Sequence, residues 1–182
     1  MKVLIVVDMQ KDFIDGVLGT PEAVAIVDAV SKRIKNSQGE LILFTQDTHQ
    51  DNYLDTPEGK KLPIIHCVEN TDGWQLNEAV LKAWRGNPHT IIIQELADNN
   101  FIKGQFASLD LLRFLVNRAT EISEIEIIGI CTDICVIMNS LMLKSVFTEI
   151  KISVNAACCA GTTPQSHQEA LNIMEKCHID II

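Results

Sequence analysis

Two cysteines lie four positions apart in the segment GICTDICV, residues 129–136. Cys131 and Cys135 could form a disulfide, hold a metal, act as a redox pair or supply a nucleophile. A disulfide needs a suitable inter-Cα distance, a zinc site needs a second ligand pair, and redox pairs normally have two intervening residues rather than three. A nucleophile is therefore the favoured functional interpretation, and two buried packing thiols are the alternative.

The position of Cys135 near a predicted helix start favours thiolate chemistry. A strand is predicted to end at Gly129, and Thr132 and Asp133 offer side chains that could cap the helix that follows. A thiol in the first turn would lie near unpaired backbone N–H groups and the positive end of the helix dipole, which would lower its pKa. The same N–H groups could hold an oxyanion during acyl transfer.

Further reactive side chains follow the ends of other predicted strands. Asp8 ends the first strand, Asp47 and His49 follow the second, and Lys103 follows the third. In an open parallel sheet the ligand crevice lies beyond the carboxyl ends of the strands, so these side chains are predicted to meet at one rim. Taken singly, Asp8 could cap a turn and Lys103 could be a solvated loop lysine.

The segment that begins at Asp47 carries potential metal ligands. Asp47 and His49 are two positions apart, so their side chains project to the same side of an extended segment. His66 and Glu58 follow in the same long loop. Two His and one or two carboxylates suit a divalent metal ion, most simply zinc, with manganese or iron as alternatives. For the Asp-x-His pair alone, a surface turn without metal is the competing interpretation.

The elements that must position these residues alternate along the chain. Short β-branched runs predict strands over residues 2–8, 41–45, 90–94, 124–129 and 150–154. Amphipathic segments predict helices over residues 21–36, 74–84, 108–117, 132–147 and 164–177. This alternation predicts right-handed βαβ units in a three-layer α/β/α sandwich around a mainly parallel sheet. With no repeat or linker, residues 1–182 are expected to form one domain.

Charge and composition argue against several classes of partner. The chain has 15 Lys plus Arg and 24 Asp plus Glu, a formal net charge of −9, which disfavours nucleic acid and anionic lipid as partners. The N-terminal apolar run ends at Asp8 and is too short for a signal segment or a membrane span. We therefore expect a cytoplasmic protein whose six cysteines are reduced thiols.

Three short segments together resemble the isochorismatase-like cysteine hydrolases. They are VVDMQKDF at residues 6–13, KGQFAS at residues 103–108 and GICTDICV at residues 129–136. Their order and spacing match that superfamily over almost the whole chain. The resemblance implies the same α/β/α fold, and it also implies a homo-oligomer, since relatives commonly form dimers or tetramers.

The same resemblance implies an Asp-Lys-Cys triad that falls on Asp8, Lys103 and Cys135. In this scheme Asp8 takes the thiol proton and returns it to the leaving amine, while Lys103 stabilises the thiolate. Cys135 attacks an amide carbonyl, ammonia leaves, and water hydrolyses the thioester. The resemblance further implies a cis peptide bond between Ile130 and Cys131, with the N–H groups of Cys131 and Cys135 as the oxyanion hole.

The stretch from Asp47 to His66 resembles the metal site of the nicotinamidase members of this superfamily. There an Asp-x-His pair and a later His bind a metal that holds the substrate's pyridine nitrogen, and some members add a fourth ligand, here Glu58. Phe13 resembles the aromatic residue that stacks on the nicotinamide ring. The Asp-Trp-His-Pro form common around the metal pair is replaced here by Asp-Thr-His-Gln.

Nicotinamide is therefore the favoured substrate, and its hydrolysis would yield nicotinate and ammonia for NAD salvage. The alternatives are a cysteine hydrolase acting on another small amide, such as a carbamoyl or ureido compound, or isochorismatase-type activity. From a different class, a non-catalytic scaffold or thiol sensor would keep the fold without the reaction. The presence of all three triad residue types argues against that last interpretation.

Overall fold

The computed structural model describes residues 1–182, and a six-stranded parallel sheet lies at its centre. The strands are β1 (Lys2–Val7), β2 (Leu41–Asp47), β3 (Asn100–Lys103), β4 (Glu124–Ile130), β5 (Lys151–Ala160) and β6 (Asp180–Ile181). They lie in the order β3-β2-β1-β4-β5-β6. The strand order reverses at β1, so the crevice for a ligand is expected beyond the carboxyl ends of β1 and its neighbours β2 and β4.

Helices cover both faces of this sheet. They are α1 (Lys11–Ile14), α2 (Pro21–Lys35), α3 (Glu78–Arg85), α4 (Leu109–Val116), α5 (Ile137–Val146) and α6 (Pro164–Lys176), and a π-helical turn, Thr132–Val136, precedes α5. None of the helices is both long enough and apolar enough to cross a membrane.

Alternating side chains of β1 enter two separate buried clusters. Val3, Ile5 and Val7 belong to the cluster that contains the apolar side chains of α4, α5 and α6. Leu4 and Val6 belong to the cluster that contains those of α2 and α3. The central strands are therefore buried on both faces, as the continuous apolar runs indicate. The predicted three-layer α/β/α sandwich is confirmed.

Two of the longer helices begin at a Thr-Pro pair. Thr20 caps α2, because its side chain accepts a hydrogen bond from the N–H of Ala23 at 3.0 Å. Thr163 caps α6 in a capping box with Ser166. In both helices the proline occupies the first position, where its missing N–H removes no helical hydrogen bond. These signals explain why the predicted starts of both helices agree with the structure.

The third strand lies later in the chain than predicted. Residues 90–94 form no strand, and β3 comprises residues 100–103 instead. The side chain of buried Asn99 donates hydrogen bonds to the carbonyls of Ile42 and Ile91 and accepts one from the N–H of Ile93. It therefore satisfies backbone groups that strand pairing would otherwise satisfy. The prediction of a strand over residues 90–94 was therefore wrong. Apolar periodicity does not distinguish a strand from an extended segment whose backbone bonds to a side chain.

The helix predicted over residues 74–84 also begins later, at Glu78. Asn77 caps it by accepting hydrogen bonds from the N–H groups of Ala79 and Val80. Trp74 lies in the preceding loop, and its indole N–H donates to the hydroxyl of Thr48 at 2.7 Å. Trp74 thus supports the loop that follows β2 rather than a helix.

Candidate active site

Asp8 follows β1 and is fully buried. Its backbone is left-handed, with φ of 46°, and its N–H donates to the carbonyl of Thr45 at 3.2 Å. The Thr45 hydroxyl donates to Asp8 Oδ1 at 2.7 Å. The other carboxylate oxygen, Oδ2, lies 2.7 Å from Lys103 Nζ. A hydroxyl and an ammonium group therefore hold the carboxylate in a water-poor environment.

Lys103 is the last residue of β3 and lies opposite Asp47 in the parallel pairing with β2. Its side chain is only 3% exposed. Nζ lies 3.4 Å from Asp47 Oδ1 and 3.6 Å from Cys135 Sγ, in addition to its contact with Asp8. Burial alone would lower the pKa of Lys103, but the nearby charges of Asp8, Cys135 and Asp47 raise it. The ammonium form therefore connects the acid, the thiol and the neighbouring Asp47.

Cys135 lies in the π-helical turn and is buried. Burial raises the pKa of its thiol well above the ordinary value, the negative charge of Asp8 raises it further, and Lys103 only partly opposes them. The expectation that a helix start would lower this pKa is wrong, because desolvation outweighs the dipole. The resting thiol is neutral and must lose its proton as it reacts.

The base for that proton is adjacent. Burial raises the pKa of Asp8 above its ordinary value, and the Lys103 ammonium offsets only part of this effect. A carboxylate with a raised pKa is a stronger base than an exposed one, and general bases work best when their pKa approaches the ambient pH. Asp8 is therefore the group placed to take the proton from Cys135.

The turn between β4 and α5 exposes a backbone donor next to the thiol. The Ile130–Cys131 peptide bond is cis, in agreement with the sequence prediction. The N–H of Cys131 donates no hydrogen bond within the protein. Gly129, with φ of +118°, permits close approach of β4 to β1, since a Cβ there would lie 2.1 Å from the Val7 carbonyl oxygen. The free N–H is suited to an oxyanion.

The expected caps of the next helix have other partners. Thr132 shares a 2.8 Å hydrogen bond with Nδ1 of His167, and Asp133 accepts one from the N–H of Thr162 at 3.0 Å. Neither side chain caps the π-helical turn, so that part of the sequence prediction was wrong. Both bonds instead fasten the turn to α6 and the loop before it.

Asp47, His49 and His66 converge at the end of β2. One potential ligand atom from each lies within 4.8 Å of the others, and all three residues are buried. His66 Nδ1 lies 2.8 Å from the carbonyl oxygen of Ile64, and when it donates there, Nε2 is left as the ligand atom. His49 Nε2 is buried without a hydrogen-bond partner, although Asp47 Oδ2 is 3.0 Å away. A divalent cation would satisfy these atoms, so the trio fits a metal.

Glu58 lies at the edge of this trio. Its Oε1 is 3.8 Å from His49 Nε2, and its side chain is 28% exposed, far more than the 8% of His49. Glu58 is not a member of the compact group formed by the other three residues. A role as fourth ligand stays a prediction.

Several supporting residues were not singled out by the sequence. Gln10 donates to the carbonyls of Asp47 and Trp74 and accepts from the Asp47 N–H, with distances of 2.8 to 2.9 Å. Tyr53 packs against both histidine rings, with centroid separations of 4.5 and 4.9 Å. Gln10 lies two positions after Asp8, and this spacing was the only available sequence signal. Tyr53 gave no such signal, because its contacts depend on the loop's fold.

A cavity of about 300 Å³ extends from Cys135 to Asp47 and His66 of the Asp-His-His trio. Most of its lining is apolar. Its lining includes Asp47, His66 and Cys135, together with Phe13, Leu18, Glu58, Leu62, Phe106, Ile130, Cys131 and Ile134. The Phe13 ring lies 5.5 Å from that of His66. A small flat amide could therefore contact the thiol at one end and the trio at the other.

The chain belongs to the isochorismatase family, because the isochorismatase domain model matches residues 2–182. It is similar to the nicotinamidase of Escherichia coli (strain K12), with 28% identity over 197 aligned residues that cover 96% of this chain and 90% of that protein. The predicted superfamily is therefore confirmed.

Solved structures of relatives share the same fold. The pyrazinamidase of Pyrococcus horikoshii in complex with zinc matches with a TM-score of 0.77 and 25% identity, covering 100% of this chain and 98% of that one. The pyrazinamidase/nicotinamidase of Streptococcus mutans UA159 matches with a TM-score of 0.80 and 25% identity, and all of both chains is covered.

Proposed function

We propose that this chain is a cysteine amidohydrolase that converts nicotinamide to nicotinate and ammonia. One observation carries the proposal: Lys103 Nζ contacts both the Asp8 carboxylate and the Cys135 thiol, and Cys135 lines the cavity that also reaches the Asp-His-His trio. The nicotinamidase and pyrazinamidase relatives support a pyridine-type amide as the substrate.

In the proposed reaction Cys135 is the nucleophile and Asp8 the proton carrier. Asp8 takes the thiol proton as sulfur bonds to the amide carbon, and Lys103 stabilises the negative charge on sulfur and carboxylate. The oxyanion lies against the backbone N–H groups of Cys131 and Cys135. The C–N bond then breaks as Asp8 delivers its proton to the nitrogen, releasing ammonia and leaving a thioester.

Hydrolysis of the thioester reverses these roles. Asp8, now ionised, accepts a proton from a water molecule that attacks the acyl carbon, and the thiolate leaves as nicotinate forms. The proton then returns to sulfur. Lys103 remains an ammonium group throughout, because the charges around it raise its pKa. The raised pKa of Asp8 favours uptake of the proton from sulfur, and the raised pKa of Cys135 favours its return to sulfur at the end of the cycle.

The trio of Asp47, His49 and His66 would hold a divalent metal ion, with Glu58 as a further ligand. Zinc is favoured, because a relative is known in complex with zinc and the donor set suits that ion; manganese and iron are alternatives. When bound, the metal would supply an electrophilic contact for the pyridine nitrogen. Phe13 would contribute an aromatic surface for the ring.

The proposal extends to the setting of the enzyme. We propose that the product nicotinate enters NAD salvage, and that the enzyme is a cytoplasmic homo-oligomer in which each subunit is one domain. The match of the family model to residues 2–182 supports the single domain. Multi-angle light scattering of the purified chain tests the oligomer, and a monomer at micromolar concentration would contradict it.

Ammonia release from a panel of amides tests the substrate. Nicotinamide should be cleaved, while benzamide, which has the same shape without the ring nitrogen, should be cleaved far more slowly. A carbamoyl or ureido compound tests the related amidase activity. Nicotinamide left intact while another amide is cleaved would overturn the substrate assignment, and no turnover of any amide would overturn the enzymatic proposal.

A further inference from the structure

Asn139 lies in α5, one helical turn after Cys135, and is fully buried. Its side chain amide donates to the carbonyl oxygen of Cys135 at 2.7 Å and to that of Phe106 at 3.1 Å. Its Oδ1 accepts from the N–H of Ser108 at 3.0 Å. Both donors and one acceptor of the amide are therefore used, and every partner is a backbone atom.

These partners belong to two segments that form the active site. Cys135 is the proposed nucleophile. Phe106 lies in residues 104–107, the loop that connects Lys103 to Ser108, and Phe106 lines the cavity. Ser108 is the residue that caps α4. Asn139 thus fastens the turn that carries the thiol to the loop that follows the lysine.

The loop itself has little other support. Residues 104–107 make no backbone–backbone hydrogen bond, and Phe106 is 43% exposed. The bond from Asn139 to the Phe106 carbonyl is the hydrogen bond that fixes this loop against the body of the protein. Since ordering a loop costs entropy for each residue, a single buried anchor has a large effect on how often the loop holds its cavity-lining position.

We propose that Asn139 is a positioning residue for the hydrolase reaction, acting through two separable arms. The first arm, to the Cys135 carbonyl, sets the position of the sulfur relative to Asp8 and Lys103. The second arm, to the Phe106 carbonyl and the Ser108 N–H, holds the wall of the substrate cavity. This inference rests on the proposed amide hydrolysis.

Each arm predicts a different kinetic effect. Displacement of the nucleophile lowers kcat, because a reacting atom misplaced by about 1 Å can cost about 100-fold. Loss of the Phe106 wall weakens substrate binding and raises KM, with little change in kcat. A residue that only stabilised the fold would change neither value in the folded protein.

Helix α5 itself suggests how to separate the arms. Ser140 and Ser145 each donate to the carbonyl four residues earlier, both at 2.7 Å. A serine at position 139 should therefore keep the bond to the Cys135 carbonyl, but it is too short to reach Phe106 and Ser108 as well. Asn139→Ser removes the second arm alone, and Asn139→Leu removes both.

The chain offers a matched control in Asn87. Its amide donates to the carbonyls of Ile34 and Ser37 and its oxygen accepts from the N–H of His89, so its hydrogen-bond pattern is the same as that of Asn139. It is also buried, and none of its partners lines the cavity. Asn87→Leu should lower the melting temperature about as much as Asn139→Leu, since each loses three similar bonds.

Steady-state kinetics of the metal-loaded protein, at a temperature where each variant is folded, test the inference. We expect Asn139→Leu to lower kcat about 10- to 100-fold, and Asn139→Ser to keep kcat within about threefold while raising KM about fivefold or more. Asn87→Leu should retain both constants. Equal kcat and KM for the two leucine variants would overturn the positioning role, as would equal losses of kcat for Asn139→Ser and Asn139→Leu.

The rate at which iodoacetamide modifies Cys135 gives a readout without any substrate. Mass spectrometry of the Cys135 peptide should show a changed alkylation rate in Asn139→Leu, because the sulfur no longer keeps its position relative to Asp8 and Lys103, and the parent rate in Asn139→Ser and Asn87→Leu. An unchanged rate in Asn139→Leu would overturn the first arm. If nicotinamide proves inert but the alkylation difference persists, the proposed substrate fails and the positioning role of Asn139 survives.

Discussion

Replacing Asp8 by asparagine should make the Cys135 thiol more acidic while removing turnover. Asparagine keeps the shape of the side chain, and its oxygen can still accept the hydrogen bond from Thr45. The variant loses the negative charge that, after burial, does most to raise the pKa of Cys135, while Lys103 stays beside the sulfur. The thiolate should therefore form more readily, although the proton acceptor needed for catalysis has gone.

The size of this effect follows from the contacts of Lys103. Nζ lies 2.7 Å from Asp8 Oδ2 and 3.6 Å from Cys135 Sγ. The oxygen and the sulfur are therefore at most about 6.3 Å apart, and a unit charge at that distance contributes at least about 2.6 kcal/mol at an effective dielectric constant near 20. This repulsion energy is large enough that its loss should move the alkylation midpoint of Cys135 by more than about one pH unit.

Iodoacetamide alkylation followed across pH by mass spectrometry measures that midpoint. The Asp8→Asn profile should shift to lower pH, whereas its kcat on the amide substrate should fall by about 100-fold or more, the contribution typical of general acid–base catalysis. Cys135→Ala identifies the peptide signal. An alkylation midpoint at the parent value or higher, or an active Asp8→Asn enzyme, would refute the proton-transfer role.

Three further predictions concern the nucleophile, the buried charges and the metal. Cys135→Ala should have no measurable turnover and an unchanged circular dichroism spectrum; retained activity would remove the nucleophile assignment. Lys103→Met should lower the free energy of unfolding by about 3 to 5 kcal/mol at pH 7, because Asp8 stays buried without its partner. That loss should shrink as pH falls toward the ordinary Asp8 pKa of 3.8, since a carboxyl whose folded pKa is raised destabilises the fold only at pH values where the unfolded chain ionises it; urea titrations that show the same loss at pH 7 and pH 4 would contradict this. His49→Ala should purify with much less metal than the parent by plasma mass spectrometry, and equal metal contents would exclude His49 as a ligand.

Most of the fold could be predicted from the sequence because the central strands have a clear hydrophobic pattern. The runs that form β1 and β2 are almost continuously apolar, as expected for strands buried on both faces, and those that form β4 and β5 contain several β-branched residues. The third strand was placed wrongly because the side chain of Asn99 forms hydrogen bonds with the backbone of Ile91 and Ile93, which a neighbouring strand would otherwise form. No apolar pattern shows that a side chain will bond to the backbone of this segment.

The convergence of strand ends was also predictable, because parallel strands end at one edge of the sheet. The raised pKa of the Cys135 thiol was not predictable, because only the helix start was considered, whereas the burial of Cys135 arises from tertiary packing. Asn139 gave no signal for the same reason. Its partners Ser108 and Phe106 lie 31 and 33 residues away, so their meeting depends on how α4 and α5 pack.

The most direct test of the account is to trap the covalent intermediate. The metal-loaded protein mixed with nicotinamide and quenched in acid should yield a Cys135 peptide whose mass has increased by one nicotinoyl group, with ammonia released in step. The modified peptide should be absent from Asp8→Asn. Ammonia formed at the full rate without acylation of Cys135, or acylation at a different cysteine, would contradict the claim that this thiol attacks the amide.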